Sequence, residues 1–495
     1  MHEPLSIIIV ESLAGQHDQQ VTIWSLFDDV LLEIFRFYLL NESARWFTLA
    51  HVCQRWRCLV YASPRHLNLH LICGGYKPPG EMLDKWPEMP IHIVRIHEYT
   101  YNDMSESEVS YVADALEHND RVSKIKLKSG YSKLSHLLAQ MQEPFPMLEY
   151  LDIQPNNSSS SEPAVIPDSF LGGSAPLLVR LGLVGIPFPG LPRLLLSANH
   201  LVDIHLWDIP QARHVLPEVM VASLSAMKHL QSLHIGICSR QASQHSIPVT
   251  CIVLPALKHL RLKCPGNYLE DLVARLDAPE LESMGIFYPS PSEVFDFIEL
   301  PQFISRINAF EMSDHAQLCA DDRQFELITS QKTRTVDRAE LSLIFAAHCH
   351  ETLLSAFSSS LPPLRFKFEN LEIHDEQFMI STLEMQAELR EISRRFHAVK
   401  NLFLDTDASI HVGRVRKAFV EENLFPALQN IFVQEPSSLR STSARLLASS
   451  TREAFSQFAA ERQLAGFPVT LHVWERGEGG KVRRVSALEF CDPGH

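Results

Sequence analysis

A six-residue phrase, Leu-x-x-Leu-x-Leu, recurs along this chain at a nearly constant interval, and that recurrence limits the possible folds more than any other feature. Clear copies run Leu148–Ile153, Leu178–Leu183, Leu201–Leu206, Leu230–Ile235, Leu257–Leu262 and Leu281–Ile286. Fainter copies begin at Ile91, Val122, Ile307, Val336, Phe368, Val399 and Leu428, so successive starts are 23 to 32 residues apart. A period of this size gives each copy one short strand and one return segment. Such a unit cannot bury its apolar side alone. It must stack on its neighbours, with the first, fourth and sixth residues of each phrase turned inward.

The spacing therefore predicts an α/β chain whose body, residues 72–436, is an irregular leucine-rich repeat solenoid. Helical returns are expected over Glu108–His118, Pro217–Met227 and Asn267–Leu276, and Leu-Pro or Phe-Pro pairs such as Phe145-Pro146 and Leu254-Pro255 mark entry into the next strand. The competing reading is a conventional globular α/β domain, which has no reason to space thirteen strands evenly. The polar run Asn156–Pro163 reads as a loop insertion.

In each phrase the third, fifth and seventh residues face the open, concave side. Early copies place Arg95, Lys124, Lys126 and Lys128 there; middle copies place Arg180, His205, Trp207, His234, His259, Arg261 and Lys263; late copies place Glu311, Glu340, Glu372 and Asp405. The expected surface runs from basic to acidic with aromatics near its middle. Charge arranged in this way steers a protein client and sets its register more than it sets affinity. The alternative is that solvated strand faces carry charge in any case.

Residues 1–21 form an expected flexible N-terminus, and Thr22–Leu71 differ from everything after them. Ser25 with Asp28 fits a capping box. Val30, Leu31, Ile34, Phe35 and Tyr38 recur at helical spacing, and a second periodic set follows at Leu49, Val52, Cys53, Trp56, Leu59 and Val60. Ser63-Pro64 ends it. On pattern alone this is a short helical bundle, and it could serve only to cap the array.

The residues also resemble an F-box of the fungal type. The resemblance rests on Leu26-Phe27, Asp28-Asp29, Leu31 with Ile34-Phe35, Val52-Cys53-Gln54-Arg55-Trp56-Arg57, and the continuation Ser63-Pro64-Arg65-His66-Leu67-Asn68-Leu69. It covers about fifty residues, and Phe27 stands where the family carries proline. It implies that the head docks on the Skp adaptor and through it a cullin, as the substrate receptor of an SCF-type ubiquitin ligase. The adaptor contacts would come from Leu26, Phe27, Val30, Leu31, Ile34 and Phe35. The alternative is a non-catalytic repeat scaffold with the head as its N-terminal cap.

Other classes of function find little support. The net charge of −15 opposes bulk nucleic-acid binding. No apolar run approaches the length of a membrane span, and Met1–Ser12 lacks the long apolar core of a secretory leader. Nine scattered cysteines fit a reducing compartment, cytoplasmic or nuclear. His348-Cys349-His350 has no partner pair at metal-ligand spacing, and Gly477–Lys481 lacks the phosphate-loop spacing. No metal, cofactor or catalytic residue is expected. The tail, 437–495, reads as a helix plus hairpin that caps the array or folds over its face.

Overall fold

The computed structural model describes residues 23–42, 46–74, 78–80, 83, 89–95, 103–156, 164–210, 216–238, 251–288, 297–311, 313–320, 324–330, 340–346, 367–375, 390, 393–405, 423–434, 453, 455–476 and 482–487. The chain divides into two compact units, residues 1–100 with 105–125, and residues 101–104 with 126–495.

The first unit begins with α1 (Asp28–Glu42), α2 (Trp46–Ala50) and α3 (Gln54–Ala62). The expected second helix is thus two, broken before Cys53, whose sulfur accepts from the Trp56 N–H at 3.4 Å and caps α3. Ser25 closes a 3₁₀ turn, and α1 starts at Asp28 with the Phe27 carbonyl accepting from Leu31. Leu31, Phe35 and Leu39 point into the bundle, where Phe35 meets Trp56 at 4.6 Å between rings. Arg55 ties α3 to the start of α1 through Asp28 Oδ1 at 2.7 Å and the Leu26 carbonyl at 2.6 Å. The unit continues past residue 71 with β1 (Leu71–Cys73) parallel to β2 (Ile91–Val94), then α4 (Glu106–Leu116). The α4 start is a complete capping box between Ser105 and Glu108. Strand β3 (Val122–Ser129) carries residues of both units.

The second unit is built on the repeating phrase. Strands β4 (Tyr150–Pro155), β5 (Arg180–Val184), β6 (Asp203–Pro210), β7 (Ser232–Cys238), β9 (His259–Lys263) and β11 (Ser283–Tyr288) pair in parallel, one per phrase. Through the phrase the register is constant, with Leu151, Leu181, Ile204, Leu233, Leu260 and Met284 as successive partners, and β6 slips by one residue against β7 only after Leu206. These fourth-position residues and the sixth-position ones, Ile153 to Ile286, are almost completely buried. The returns include α5 (Tyr131–Gln140), α6 (Leu191–Ser197), α7 (Pro217–Leu224), α8 (Gly266–Val273) and α9 (Glu299–Ser305). Within them the short strands β8 (Ile252–Val253) and β10 (Leu276–Asp277) make a parallel pair. Buried Glu270 on α8 accepts from the N–H groups of Ile298, Glu299 and Leu300 at 2.6 to 3.0 Å, holding the start of α9 to the preceding return.

Past β11 the regular succession breaks. The phrase expected at Ile307 forms no strand: Ile307 precedes helix α10 (Asn308–Glu311) and is buried with Phe310. Three strands follow, β12 (His315–Ala320), β13 (Gln324–Ser330) and β14 (Glu340–Ala346), as an antiparallel meander. Its last strand pairs in parallel with β11 and its first in parallel with β15 (Asn370–Asp375). The spatial order is therefore β11, β14, β13, β12, β15. The phrase expected at Val336 lies mostly outside the described residues, and Glu340, read there as a fifth-position residue, pairs with Ser283, a third-position one. Parallel stacking resumes with β16 (Asn401–Leu404), β17 (Asn430–Gln434) and β18 (Thr470–Arg476), and β19 (Val482–Ala487) returns antiparallel as the expected hairpin. Residues 455–464 are helical, with Phe455 and Phe458 buried and Arg462 donating to the Leu424 carbonyl at 3.0 Å.

Most of the Asn156–Pro163 run lies outside the described residues, as do the His348–His350 and Gly477–Lys481 segments and tail residues 437–452. Replacing Phe310 by alanine removes a fully buried ring at the entry to the meander and should cost about 3–5 kcal/mol. Leu196→Ala, at an exposed helical position, should stay within about 0.5 kcal/mol. Urea denaturation of the two variants checks the contrast.

Candidate functional site

Two surfaces stand out, one in each unit. On the first, α1 is apolar on two sides. Leu31 and Phe35 are fully buried, whereas Phe27 (80% exposed), Val30 (44%), Ile34 (43%) and Phe37 (69%) stand outside at helical spacing. Leu26 is half-buried beside Arg55. Tyr38, Phe47 and Val52 are also exposed on the same helical bundle. The six residues expected at an adaptor contact are thus divided between core and surface. Phe37, Phe47 and Val52 join the exposed set; the i, i+3, i+7 series from Val30 would have found nothing new at Glu33 but reaches Phe37. Scattered exposed apolar residues are ordinary, but a stripe of large ones along a helix marks a contact surface.

On the second unit the surface is the strand face opposite the buried phrase positions. Lys126, His205, Trp207, His234, Arg261 and Glu340 all lie at these alternate positions. Two expected members do not join them. Arg95, in the first unit, follows Ile91 and Ile93 on the buried parity of β2 and pairs with Glu108 at 3.6 Å, its side chain only 10% exposed. The expected register at Ile91 was displaced because the buried residues there are spaced by two. Glu311 belongs to helix α10, not to a strand.

From Lys126 and Lys128 on β3 across to β9 the open face is basic and aromatic. Arg180 pairs with Asp203 at 2.6 Å and lies 5.7 Å from the Tyr150 ring centre. Lys263 pairs with Asp208 at 2.6 Å and sits between Trp207 and Phe287, 5.6 and 5.2 Å from their ring centres. His205 and His234 approach Nδ1 to Nδ1 at 3.2 Å. Burial lowers the pKa of both, and His234, also facing His205 and Arg261, falls to about 4. The pair is therefore neutral at pH 7, one ring donating and the other accepting.

Along β12 to β18 the same face is acidic and closely packed. Glu372 accepts from His374 Nε2 at 2.6 Å and faces His315 Nε2 at 3.4 Å; His374 Nδ1 is 3.3 Å from Asp405. Burial alone would lower the His374 pKa, but its bonds to Asp405 and Glu372 outweigh it and raise the value to about 9. Burial would raise Glu372, but the two histidines bring it down to about 2. Beside this cluster Asn401 donates to Asn370 at 2.9 Å and Asn430 to Asn401 at 2.8 Å, an amide ladder across three strands. Phe403, Phe432 and His472 stack at 4.3 and 4.8 Å. These contacts pair most of the polar atoms of the cluster, the buried His315 Nδ1 excepted.

Among the described residues no group of three or more His, Cys, Asp or Glu side chains is placed to hold a metal ion, and no helix is long and apolar enough to cross a membrane. Neither a protein-family model nor a curated protein sequence matches the chain. Among solved structures it is similar to the leucine-rich repeat-containing protein LegL7 from Legionella pneumophila, at 12% identity over 78% of this chain and 98% of that one, with a TM-score of 0.26. The repeat architecture rests on the phrase and on the strand register above.

The His374 cluster gives a pH signature. A raised histidine pKa contributes stability that is complete below the ordinary value of 6.5 and lost as pH rises through about 9. Glu372 contributes stability above its ordinary 4.5 that is lost as pH falls through about 2. Urea midpoints should therefore decline from pH 6.5 to 9 in the wild type. His374→Gln should be less stable at pH 6.5 and show a shallower decline.

Proposed function

We propose that this protein is a non-catalytic substrate receptor: its N-terminal helices dock on the Skp adaptor of an SCF-type ubiquitin ligase and its repeat sheet holds a protein client. The observation that carries the reading is the exposed stripe Phe27, Val30, Ile34 and Phe37 on a helix whose opposite side is already buried. A helix that needs only to seal an array has no use for a second apolar side. Desolvating such a stripe against a partner helix is the usual source of affinity in helix-in-groove recognition. The F-box resemblance names the partner, and the adaptor supplies the link to cullin.

In this reading the chain catalyses nothing itself. It raises the local concentration of a client lysine near the charged ubiquitin carrier, so its contribution is proximity. The open strand face is the client surface, residues 437–495 close the array, and the protein works in the cytoplasm or nucleus. Phe27 replaces a proline of the family pattern with a large ring that is 80% exposed, so it adds apolar area to the contact.

Adaptor capture tests the proposal. Val30→Asp with Ile34→Asp changes only exposed positions, so the bundle should remain folded while adaptor affinity drops at least about tenfold. Leu31→Asp, at a fully buried position, should instead unfold the head, visible as lost helical circular dichroism. A folded wild type that captures no adaptor would sink the ligase reading.

A further inference from the structure

The open face from the Lys126–Ser129 end of β3 to β9 has a chemistry that selects its occupant. Five cations, Lys126, Lys128, Arg180, Arg261 and Lys263, stand against three acids, Asp152, Asp203 and Asp208, in a chain whose net charge is −15. The acids are already engaged. Asp203 is held by Arg180, Asp208 by Lys263, and Asp152 accepts from Gln154 at 3.0 Å. Arg261 is exposed on β9 with no acidic partner among the described residues. Lys128, at the open end of β3, is likewise exposed without one.

Three glycines also lower the face locally. Glycine occupies open positions at Gly182, Gly236 and Gly285, and in each case a side chain from the preceding strand lies over it. A Cβ would come within 2.9 Å of Asp152 Oδ1 at Gly182, 3.0 Å of the Trp207 indole at Gly236 and 3.4 Å of Arg261 Cγ at Gly285. Trp207 consequently lies down along the sheet, with Lys263 over its ring. The neutral His205–His234 pair beside it offers hydrogen-bonding edges without adding charge.

We infer that this face binds an acidic, extended peptide segment that carries at least one aromatic side chain, with Arg261 taking a carboxylate and the Trp207–Lys263 platform taking the ring. The inference rests on the reading of the sheet as the client surface and names the chemistry of the client. At the glycine positions a peptide backbone can approach the strands, where a row of larger side chains would hold it away. Unspent cations at Arg261 and Lys128 supply the charge complementarity. Beyond the meander the histidine of the Glu372–His374–Asp405 cluster is already held between two carboxylates and offers the ligand no free cation, which confines it to the basic end.

The full-length protein should be titrated by fluorescence anisotropy with three labelled peptides of four dipeptide repeats, Glu-Tyr, Gln-Tyr and Lys-Tyr, and with a 12-nucleotide single-stranded DNA. The Glu-Tyr peptide should bind about tenfold more tightly than the Gln-Tyr one, and Lys-Tyr should not bind. Arg261→Glu should weaken Glu-Tyr binding at least about tenfold while its melting temperature stays that of the wild type, and Arg261→Lys should retain most of the affinity. Equal affinity for the three peptides, or no effect of Arg261→Glu, overturns the inference. So does DNA binding as tight as the Glu-Tyr peptide and equally sensitive to Arg261→Glu, which makes the face a nucleic-acid surface. Adaptor capture is read separately on the same preparations. Peptide selectivity without adaptor capture defeats the ligase reading alone, and capture without selectivity defeats this inference alone.

Discussion

Constant register between parallel strands is the constraint on which the repeat unit depends. Each strand can bury its fourth and sixth residues only if the strands on both sides place theirs at the same height, and Leu151 through Met284 do so without a slip. A shift of one residue would exchange the apolar side for the charged one. The open face inherits its order from this requirement. Residues at equal phrase positions stand beside one another, so His205 meets His234 and the amides of Asn370, Asn401 and Asn430 fall into line. Neither arrangement needs a dedicated scaffold.

Much of this order is visible in the sequence because the period is set by apolar residues, which burial makes legible. The regular stretch from Leu148 to Ile286 could be placed strand by strand, and with it the open-face positions of Lys126, His205, Trp207, His234 and Arg261. The failures have physical causes. The first and fourth positions of the phrase share their spacing with one turn of helix, so Ile307 and Phe310 fit both patterns and only the tertiary context chose helix. At Ile91 the apolar residues alternate by two, which permits two registers, and the wrong one put Arg95 on the open side. Strand β13 alternates by two at Phe325, Leu327 and Thr329 but sits outside the period, so the repeat pattern does not reveal it.

The head illustrates a different limit. Helical periodicity located α1 and its apolar residues, but a helix with two apolar sides gives one broad signal. Burial then assigns Leu31 and Phe35 to the interior and Val30, Ile34 and Phe37 to the exterior. Hydrophobicity says that a side chain gains by leaving water and says nothing about whether its own chain or another one covers it.

The meander between β11 and β15 has a consequence for how the unit assembles. In an unbroken array each repeat needs only its predecessor, so structure can spread one repeat at a time. Here β12, the first strand made after β11, does not pair with it; the next partner of β11 is β14, more than fifty residues further on, and β15 must wait for β12. Growth along the chain therefore stops at β11 until a long loop closes, and loop closure of that kind is slow. The two runs of parallel strands on either side become separate cooperative blocks joined by a delayed step. Denaturation should melt them apart, and a nascent chain would hold the basic half complete well before the acidic half exists.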